Sequence, residues 1–498
     1  MNAYDHRGFR IRSSQIAGPV LVPKYYNPEI PARLQALSLT HDLVSISTLH
    51  DQKVLSFSTG DEVGKMAYGT GSIPFVRTSD ISNWEIITNP KQGVSENIYE
   101  KYRHRQDVRS GDIFFVRDGT YLIGNCCLIT EADTKILYQS HILKIRVNKP
   151  DVLRPELLLA MLSSPIVRRQ IKAKQFTADI IDTLGNRFLE IVLPIPKDEG
   201  RVERIEVAVS DIVCQRLVLR ERIRRIPLWT EGVIASLDDE IPDTEVTEVD
   251  EGGSPSSLSF RLRVDKVLNN IFVPRYYDPH IEERLQVLSD THDLVSIAAL
   301  SKQGVLSLDT GIEIGKMAYG TGPIPFIRTS DITNWELKSD PKQNVSEELY
   351  EQFKDKLDVR AEDLFVVRDG TYLVGTSCIL TEHDTRILYC GGLYKIRVVK
   401  KDQLDPYLLL ALLNCPIVKR QMRAKQFTRD VIDTLGKRIY EVILPIPKDK
   451  RLCERIARET RETVLARVAL RDKAKQIALA IEGLAEPGEE EKELLENI

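Results

Sequence analysis

The stretch Val22–Asp198 returns as Val273–Asp449 at a constant offset of 251 residues, with no insertion or deletion between the copies. Arg77 therefore corresponds to Arg328, and Trp84 to Trp335. A repeat of this length far exceeds the roughly 20 to 50 residues of a solenoid unit, so each copy must bury a core of its own. The sequence predicts two complete domains of the same fold.

Each copy begins with a strand-like pattern and becomes helical towards its end. In the first copy, IPFVRTSDI and DIFFVRDGTYLIGNCCLI combine β-branched and aromatic residues with Gly, Asp and Asn turns, which is typical of strands. The later segment PELLLAMLSSPIVRRQIKAKQF predicts two helices, the second starting at Pro165, because proline is favoured in the first helical turn. Each copy is therefore expected to be a mixed α/β domain of the α+β class.

A long helix of different character follows each copy. Its apolar residues recur at alternating three- and four-residue steps, which is typical of a coiled-coil seam, and Arg216 interrupts the first seam. The seam residues are Val202, Ile205, Val209, Ile212, Leu219 and Ile223 in the first helix, and Leu470, Ala474, Ile477, Ile481 and Leu484 in the second. Either the two seams pack together, the arrangement that we favour, or each helix covers its own domain.

These patterns divide the chain into six segments. They are a first domain at 1–199, a first long helix at 200–230, a linker at 231–262, a second domain at 263–450, a second long helix at 451–486 and an acidic tail at 487–498. The linker contains IPDTEVTEVDEGGSPSS, whose acidic residues and Gly, Ser and Pro predict a flexible tether.

The composition is that of an ordinary soluble protein, with 42% hydrophobic residues, 29% charged residues and a formal net charge of -4. Acidic residues accumulate outside the repeat, at 238–251 and 482–496, so the two copies are more basic than the average. The seven cysteines show no CxxC spacing and no signal peptide precedes them, which favours reduced thiols in a cytoplasmic protein. No apolar run reaches the roughly 18 residues of a membrane-spanning helix.

The motifs of several enzyme classes are missing. The chain has neither the Asn/Asp-Pro-Pro-aromatic motif of amino-methyltransferases nor a GxxxxGK(S/T) phosphate loop. Asp112, Asp118 and Asp133 with Lys135 resemble a magnesium nuclease site, but the lysine is Arg386 in the second copy and a guanidinium does not accept a proton. The recurring His41 and His292 have no accompanying nucleophile. We therefore expect no catalytic residue, metal or cofactor in this chain.

Donor side chains instead lie on turns that follow apolar strands. Arginine can bind guanine through two hydrogen bonds, and hydroxyl groups can hold phosphates, so these turns are candidates for DNA contact. The candidates are Lys65, Tyr68, Arg77, Thr78, Ser79, Arg117, Tyr121, Gln139 and His141 in the first copy, and Lys316, Tyr319, Arg328, Thr329, Ser330, Arg368 and Tyr372 in the second. The alternative is that a neighbouring Asp, such as Asp80 or Asp118, holds each arginine in an internal ion pair.

A predicted helix in each copy adds a basic cluster. Its members recur at matching positions, namely Arg168, Arg169, Lys172 and Lys174 in the first copy and Lys419, Arg420, Arg423 and Lys425 in the second. The three- and four-residue spacing of 168, 172 and 175 places them on one helical face. The cluster is either a phosphate-binding surface or an ordinary solvated face.

The copies differ most clearly at one triplet. Gln139-Ser140-His141 in the first corresponds to Cys390-Gly391-Gly392 in the second. Polar side chains are thus replaced by small residues in the same strand. The difference indicates either that the two domains read different bases or that a surface strand has drifted.

The order of motifs resembles the target recognition domain of Type I restriction-modification specificity subunits. The resemblance is carried by YGTGSIPF from Tyr68, RDG from Arg117, LSSPIV from Leu162 and LPIP from Leu193, and it returns in the second copy from Gly315 to Pro447. This family usually has an acidic-Gln pair after the last prolines, where this chain has Lys197-Asp198 and Lys448-Asp449.

The resemblance implies a non-catalytic subunit whose two recognition domains each read one half of a split, near-palindromic site in double-stranded DNA. It implies two long helices packed antiparallel with pseudo-two-fold symmetry. It also implies as partners two methyltransferase subunits, which supply the S-adenosylmethionine, and restriction or translocase subunits, but no membrane. The alternatives are a DNA-recognition subunit of another phage-defence system without a restriction motor, and a self-sufficient nuclease.

Overall fold

The computed structural model describes residues 12, 16, 20–88, 90, 92–119, 122–178, 181–241, 260–263, 267, 271–339, 341–370, 373–429 and 432–483. The chain forms two compact units. Of the described residues, those up to 218 and those from 469 onward form the first unit, and 219–468 form the second. Each unit therefore combines one repeated domain with parts of both long helices.

The first domain contains five helices and thirteen strands among its described residues. The helices are α1 (Glu29–Leu37), α2 (Ile46–Asp51), α3 (Glu96–Gln106), α4 (Pro155–Ser163) and α5 (Pro165–Lys174). The strands are β1 (His41–Ser45), β2 (Leu55–Thr59), β3 (Ile73–Val76), β4 (Ile81–Ser82), β5 (Glu85–Ile86), β6 (Gln92–Val94), β7 (Ile113–Val116), β8 (Cys126–Leu128), β9 (Leu137–Tyr138), β10 (Ile142–Val147), β11 (Phe176–Ala178), β12 (Ile181–Thr183) and β13 (Val192–Pro196). The long helix α6 (Glu199–Thr230) follows.

The second domain repeats this order. Its helices are α7 (Pro279–Leu288), α8 (Ile297–Lys302), α9 (Glu347–Leu357), α10 (Pro406–Leu413) and α11 (Pro416–Ala424), followed by the long helix α12 (Lys450–Ala480). Its strands are β14 (His292–Ser296), β15 (Leu306–Thr310), β16 (Ile324–Ile327), β17 (Ile332–Thr333), β18 (Glu336–Leu337), β19 (Gln343–Val345), β20 (Leu364–Val367), β21 (Ser377–Ile379), β22 (Leu388–Tyr389), β23 (Leu393–Val398), β24 (Phe427–Arg429), β25 (Ile432–Thr434) and β26 (Ile443–Pro447).

Two sheets organise each domain. In the first domain an antiparallel four-stranded sheet has the order β2-β10-β7-β8, and a three-stranded sheet has the order β6-β3-β9. Within the smaller sheet β3 and β9 are parallel, with Val76 opposite Tyr138. The second domain has the same two sheets, in the orders β15-β23-β20-β21 and β19-β16-β22.

The core of each domain lies between its larger sheet and a pair of short helices. Helix α4 is apolar all round and is buried from Leu157 to Leu162, because it packs between the sheet and α5. Pro165 starts α5, as the sequence predicts, and Pro416 starts α11 in the same way. The fold class is confirmed as two repeated domains of mixed α and β structure.

The two long helices run antiparallel within each unit. In the first unit Asp211 of α6 lies 3.5 Å from Lys473 of α12, and Arg201 donates to the carbonyl oxygen of Ala480. In the second unit Arg222 of α6 lies 3.5 Å from Glu459 of α12. Seam residues such as Ile212 and Ile477 are buried, and the contacts between α6 and α12 show that the paired arrangement is the observed one.

Several predicted segments meet the boundary of the described residues. Helix α12 ends at Ala480 and is followed by a turn at 481–483. The seam residue Leu484, the acidic tail at 487–498 and linker residues 242–259 lie outside the described residues. Within the described part of the chain, no helix is long and apolar enough to cross a membrane.

Candidate nucleic-acid interface

The parallel strands β3 and β9 bring two of the predicted DNA contacts together. Because these strands run in the same direction, the residues that follow them, Arg77 and Gln139, emerge at the same edge of the small sheet. The backbone N–H of Gln139 donates to the carbonyl oxygen of Val76 at 2.9 Å. In the second domain Cys390 makes the same 2.9 Å bond to Ile327, beside Arg328.

The turn after β7 joins this edge. The backbone N–H of Arg117 donates to the carbonyl oxygen of His141 at 3.0 Å, and that of Gly119 donates to Asp182 in the β11–β12 hairpin at 2.9 Å. The second domain repeats both contacts, from Arg368 to Gly392 and from Gly370 to Asp433. The structure therefore brings Arg77, Thr78, Ser79, Arg117, Gln139 and His141 to one place, which we call the reading edge.

A buried carboxylate shapes the first turn of the reading edge. Asp80 is 2% exposed and accepts a 2.8 Å hydrogen bond from the backbone N–H of Arg77 and a 3.3 Å hydrogen bond from the hydroxyl of Ser79. Asp331 holds the backbone of Arg328 in the same way, and burial raises the pKa of Asp331. At this turn Asp80, or Asp331 in the second domain, fixes the backbone of the arginine, so the arginine side chain extends from a rigid turn.

At the second turn the internal ion pair anticipated as the alternative is present. The guanidinium of Arg117 donates to both carboxylate oxygens of Asp118, at 2.6 to 3.1 Å, and Arg368 pairs likewise with Asp369. Burial raises the pKa of Asp118, but the hydrogen bonds from Arg117 and Thr183 outweigh it, and the pKa lies below its ordinary value. The arginine side chains are still 28% and 30% exposed, so the pairs orient them without enclosing them.

The triplet that differs between the copies lies at the centre of the reading edge. In the first domain Gln139 is 9% exposed, Ser140 donates to Glu62, and His141 lies 3.4 Å from Asp118. In the second domain a Cβ on Gly392 would lie 2.9 Å from Thr329, and one on Gly391 would lie 2.6 Å from Glu313. At 392 the methyl group of Thr329 would have to shift for a larger residue, whereas at 391 the contact is only the tip of the flexible Glu313 side chain, whose counterpart Glu62 accepts from Ser140 in the first domain.

The β11–β12 hairpin adds residues that sequence reasoning missed. The guanidinium of Arg187 lies over the ring of Phe176 at 4.4 Å, and Arg438 lies over Phe427 at 3.9 Å. In the second domain Arg368, Phe427, Thr434, Gly436 and Arg438 line a cleft of about 350 Å³ beside the reading edge. The recurrence of this Phe and Arg in both copies was the available signal, but only the hairpin shows that they meet.

The predicted basic helix has a mixed environment. In α5, Lys172 is exposed, Lys174 pairs with Glu190 at 2.8 Å, and Arg168 donates to Asn125 at 3.3 Å. In α11, Arg420 pairs with Asp278 at 2.7 Å, and Lys425, which directly follows this helix, pairs with Glu441 at 3.1 Å. Lys172 is therefore the member best placed for phosphate contact, and its counterpart Arg423 is half-buried.

The remaining candidates lie on the flank of the small sheet. Lys65 and Tyr68 belong to a single 3-10 turn, where Tyr68 packs 5.6 Å from Phe75. Lys316 and Tyr319 form the same turn in the second domain. Tyr121 and Tyr372 lie outside the described residues.

The carboxylates of the nuclease alternative serve separate local roles. Asp112 accepts hydrogen bonds from Arg146 at 2.7 and 2.8 Å, Asp133 caps the turn that begins at Thr130, and Lys135 pairs with Glu96 at 3.1 Å. The described ranges contain no group of three or more His, Cys, Asp or Glu residues that could hold a metal ion.

Fold and site together define a two-domain protein with one arginine-bearing reading edge in each domain. No family model and no curated protein matches the sequence. Among solved structures, the chain is similar to the S subunit of a Type I restriction-modification system from M. genitalium, with 10% identity, a TM-score of 0.29, and coverage of 89% of this chain and 94% of that one.

Two further structures have similar statistics. One is the HsdS subunit from Thermoanaerobacter tengcongensis, with 16% identity, a TM-score of 0.26, and coverage of 89% and 95%. The other is described as the basis of complex assembly and conformational transition of the type I R-M system, with 15% identity, a TM-score of 0.27, and coverage of 89% and 97%. At these values the likeness runs along most of the chain but defines neither a ligand nor a partner for it.

Proposed function

We propose that the chain is the specificity subunit of a Type I restriction-modification complex and that each domain reads one half of a bipartite DNA site. The observation that carries this proposal is the recurrence of the reading edge. Arg77 and Arg117 of the first domain have their counterparts, Arg328 and Arg368, on the same backbone supports in the second. Two like sets of donors on rigid strand ends suit a DNA site with two like halves.

Arginine is the residue type that suits base recognition at this edge. Its planar guanidinium can donate two hydrogen bonds to the O6 and N7 atoms of guanine in the major groove. Gln139 is the matching residue type for adenine, because its amide oxygen can accept from the N6 amino group while its amide N–H donates to N7. The exposed Lys172 and the half-buried Arg423 would contact phosphates, which adds affinity without sequence preference.

The long helices give the proposed site its bipartite form. Each unit contains one reading domain on an antiparallel pair made from α6 and α12, so like half-sites in inverted orientation are the expected target. A helix advances about 1.5 Å per residue, so helix length would set the number of base pairs between the halves. In this scheme two methyltransferase subunits bind the chain and supply S-adenosylmethionine, restriction or translocase subunits can join, and the chain itself performs no chemistry.

Co-expression with a methyltransferase subunit of a Type I restriction-modification system tests this proposal. We expect a stable complex that contains two methyltransferase subunits for each chain and that methylates adenine only when this chain is present. A chain that binds duplex DNA site-specifically but forms no such complex would favour a DNA-recognition subunit of another defence system. Magnesium-dependent cleavage by the isolated chain would instead favour the nuclease alternative.

A further inference from the structure

Two buried ion pairs join the long helices to the domains that precede them. Arg216, in α6, lies 3.4 Å from Glu85, and their side chains are 1% and 7% exposed. Arg467, in α12, lies 2.9 Å from Glu336, and both of these side chains are 0% exposed. Each pair lies within one unit, and the two pairs occupy equivalent positions of the repeat. The residue that interrupts the apolar seam is therefore the residue that reaches into the domain.

The glutamate of each pair is close to the reading edge along the chain. Glu85 is in the β4–β5 hairpin, where Ser82 lies opposite Glu85, and this hairpin begins directly after the turn of Arg77. The backbone N–H of Ile87 donates to the carbonyl oxygen of Asp80 at 2.9 Å, which closes the turn onto the hairpin. The turn that presents Arg77 and the residue that contacts the helix thus belong to one short, internally bonded segment.

The hairpin is also fixed on its other side. Trp84 has a positive φ of 67°, a backbone conformation that bulky residues rarely adopt, and its indole N–H donates to Ser163 at 2.8 Å. Trp335 has a φ of 68° at the equivalent position. Because the hairpin is held in this way, the hairpin and the turn of Arg77 form one rigid segment. A displacement of Glu85 is therefore expected to displace the turn as well.

An ion pair at this place serves orientation more than stability. Removing two charges from water is costly, and well-packed apolar residues of similar size often stabilise a fold equally well or better. An apolar contact, however, tolerates sliding and rotation. A guanidinium and a carboxylate in a low-dielectric interior are favourable only over a narrow range of distances and angles.

On the basis of the function proposed above, we propose that Arg216 with Glu85, and Arg467 with Glu336, are positioning pairs that make the protein strict about the spacer between the two half-sites. Each pair fixes the angle at which a reading edge is held on the long helices. The side chains that determine which spacer lengths are tolerated then make no contact with DNA. The bases read within each half-site are determined independently, by the reading edge.

The test replaces both pairs by apolar residues of similar size, with Glu85→Leu, Arg216→Met, Glu336→Leu and Arg467→Met in the full chain within its methyltransferase complex. Binding is measured to duplexes that share the wild-type half-sites and differ by one or two base pairs in the spacer. For duplexes whose spacer is one base pair longer or shorter, we expect the affinity relative to the preferred spacer to rise roughly tenfold in the variant. This is the scale of the effect of one mismatched base pair. The half-site bases selected from a random library should be unchanged.

Two further variants keep the test decisive. Arg224→Met removes an exposed arginine from the same helix, and should leave the spacer profile unchanged. Glu85→Gln with Glu336→Gln keeps the shape and hydrogen-bonding capacity of the pair but removes its charge, and should widen the profile less than the apolar variant does. If the apolar variant does not unfold cooperatively on heating, the spacer profile of this second variant tests whether the ion pairs determine spacer tolerance.

A spacer profile as narrow as wild type in a folded variant would overturn the positioning role. So would a change in the half-site bases without any change in spacer preference, because the pairs would then act on base reading itself. A wild-type complex that selects no bipartite site at all would instead overturn the proposed function, and the positioning role with it.

Discussion

The carboxylate of Glu482, just beyond the end of α12, accepts a hydrogen bond from the backbone N–H of Ile166, 316 residues earlier in the chain. Ile166 lies in the first turn of α5, where the N–H groups have no helical partner, so Glu482 acts as a cap supplied by a distant segment. Glu482 also pairs with Arg33 at 3.2 Å. A residue just beyond α12, the helix that follows the second domain, therefore caps a helix of the first domain.

The second domain is closed by the reciprocal contact. Glu231, at the end of α6, accepts a 2.8 Å hydrogen bond from the backbone N–H of Ile417 and pairs with Arg284 at 2.9 Å. His41 contacts the carbonyl oxygen of Ile481 in the first unit, and His292 contacts that of Thr230 in the second. The end of each long helix thus contacts the domain that it does not directly follow. In both cases the contact uses a Glu and a His at matching positions of the repeat.

The first prediction concerns these caps. Glu482→Ala leaves the N–H of Ile166 and the charge of Arg33 without their buried partner, and should lower the free energy of unfolding by about 2 kcal/mol, as expected for hydrogen bonds to a charged group. Glu231→Ala should have a similar effect, and because the two sites lie in different units their effects should add. Urea unfolding measures both. A loss no larger than that of Glu221→Ala on α6, whose side chain is 42% exposed and pairs only within its own helix in the contacts described, would contradict the assignment.

The second prediction concerns phosphate contact. Lys172→Ala and Arg423→Ala should weaken binding to all DNA sequences alike and reduce the slope of log affinity against log salt by about one unit each. Arg420→Ala provides a contrast, because Asp278 already holds that guanidinium at 2.7 Å, and should change the salt slope less. Titrations at several salt concentrations measure the slope. An altered base preference in the Lys172 or Arg423 variant would contradict a phosphate role.

The third prediction concerns the triplet at the reading edge. Gln139→Cys, Ser140→Gly and His141→Gly together give the first domain the triplet of the second, and should change only the half-site that the first domain reads. The opposite exchange is a poorer experiment, because a side chain at 392 would meet the methyl group of Thr329. Sequencing of the methylated sites reads both halves at once, and the unchanged half is the internal control. Two unchanged halves would favour drift of a surface strand.

The fourth prediction concerns pH. Burial, followed by the nearby Arg328, lowers the pKa of Lys342 to about 8, so this lysine loses its charge at a pH where an ordinary lysine keeps it. We expect DNA affinity at constant ionic strength to fall between pH 7 and pH 9, and Lys342→Arg to reduce that fall. The free energy of unfolding should not fall over this range because of Lys342. A lysine whose pKa is lowered in the folded state makes the folded state more stable as the pH rises. An identical pH profile for both proteins would exclude Lys342 from the interface.

The sequence was sufficient for the large features of the fold. A fixed offset required two like domains, and the three- and four-residue steps predicted long helices with a seam, because both patterns follow directly from residue spacing. Arg216 shows where this reasoning ends. In the sequence it interrupts a seam, whereas in the structure it lies against Glu85, 131 residues away, and spacing carries no information about such a contact.

The reading edge was predicted residue by residue but not as an arrangement. Arg77 is predicted because a donor follows an apolar strand, and Gln139 because its triplet differs between the copies, yet only the parallel pairing of β3 and β9 makes them neighbours. Arg187 and Arg438 were not selected, because a single arginine near a Phe is common, and the stacking depends on the hairpin closing. The roles of individual side chains depended on long-range pairing that no local pattern specifies.

The most direct measurement of the central claim is single-molecule sequencing of methylated adenines in cells that express the chain with the methyltransferase subunits of the proposed complex. Two reading edges of like construction predict one bipartite motif, with two similar half-sites in inverted orientation and a spacer of fixed length whose bases are not selected. Methylation at one continuous motif, or at no defined sequence, would contradict the claim that each domain reads half of the site.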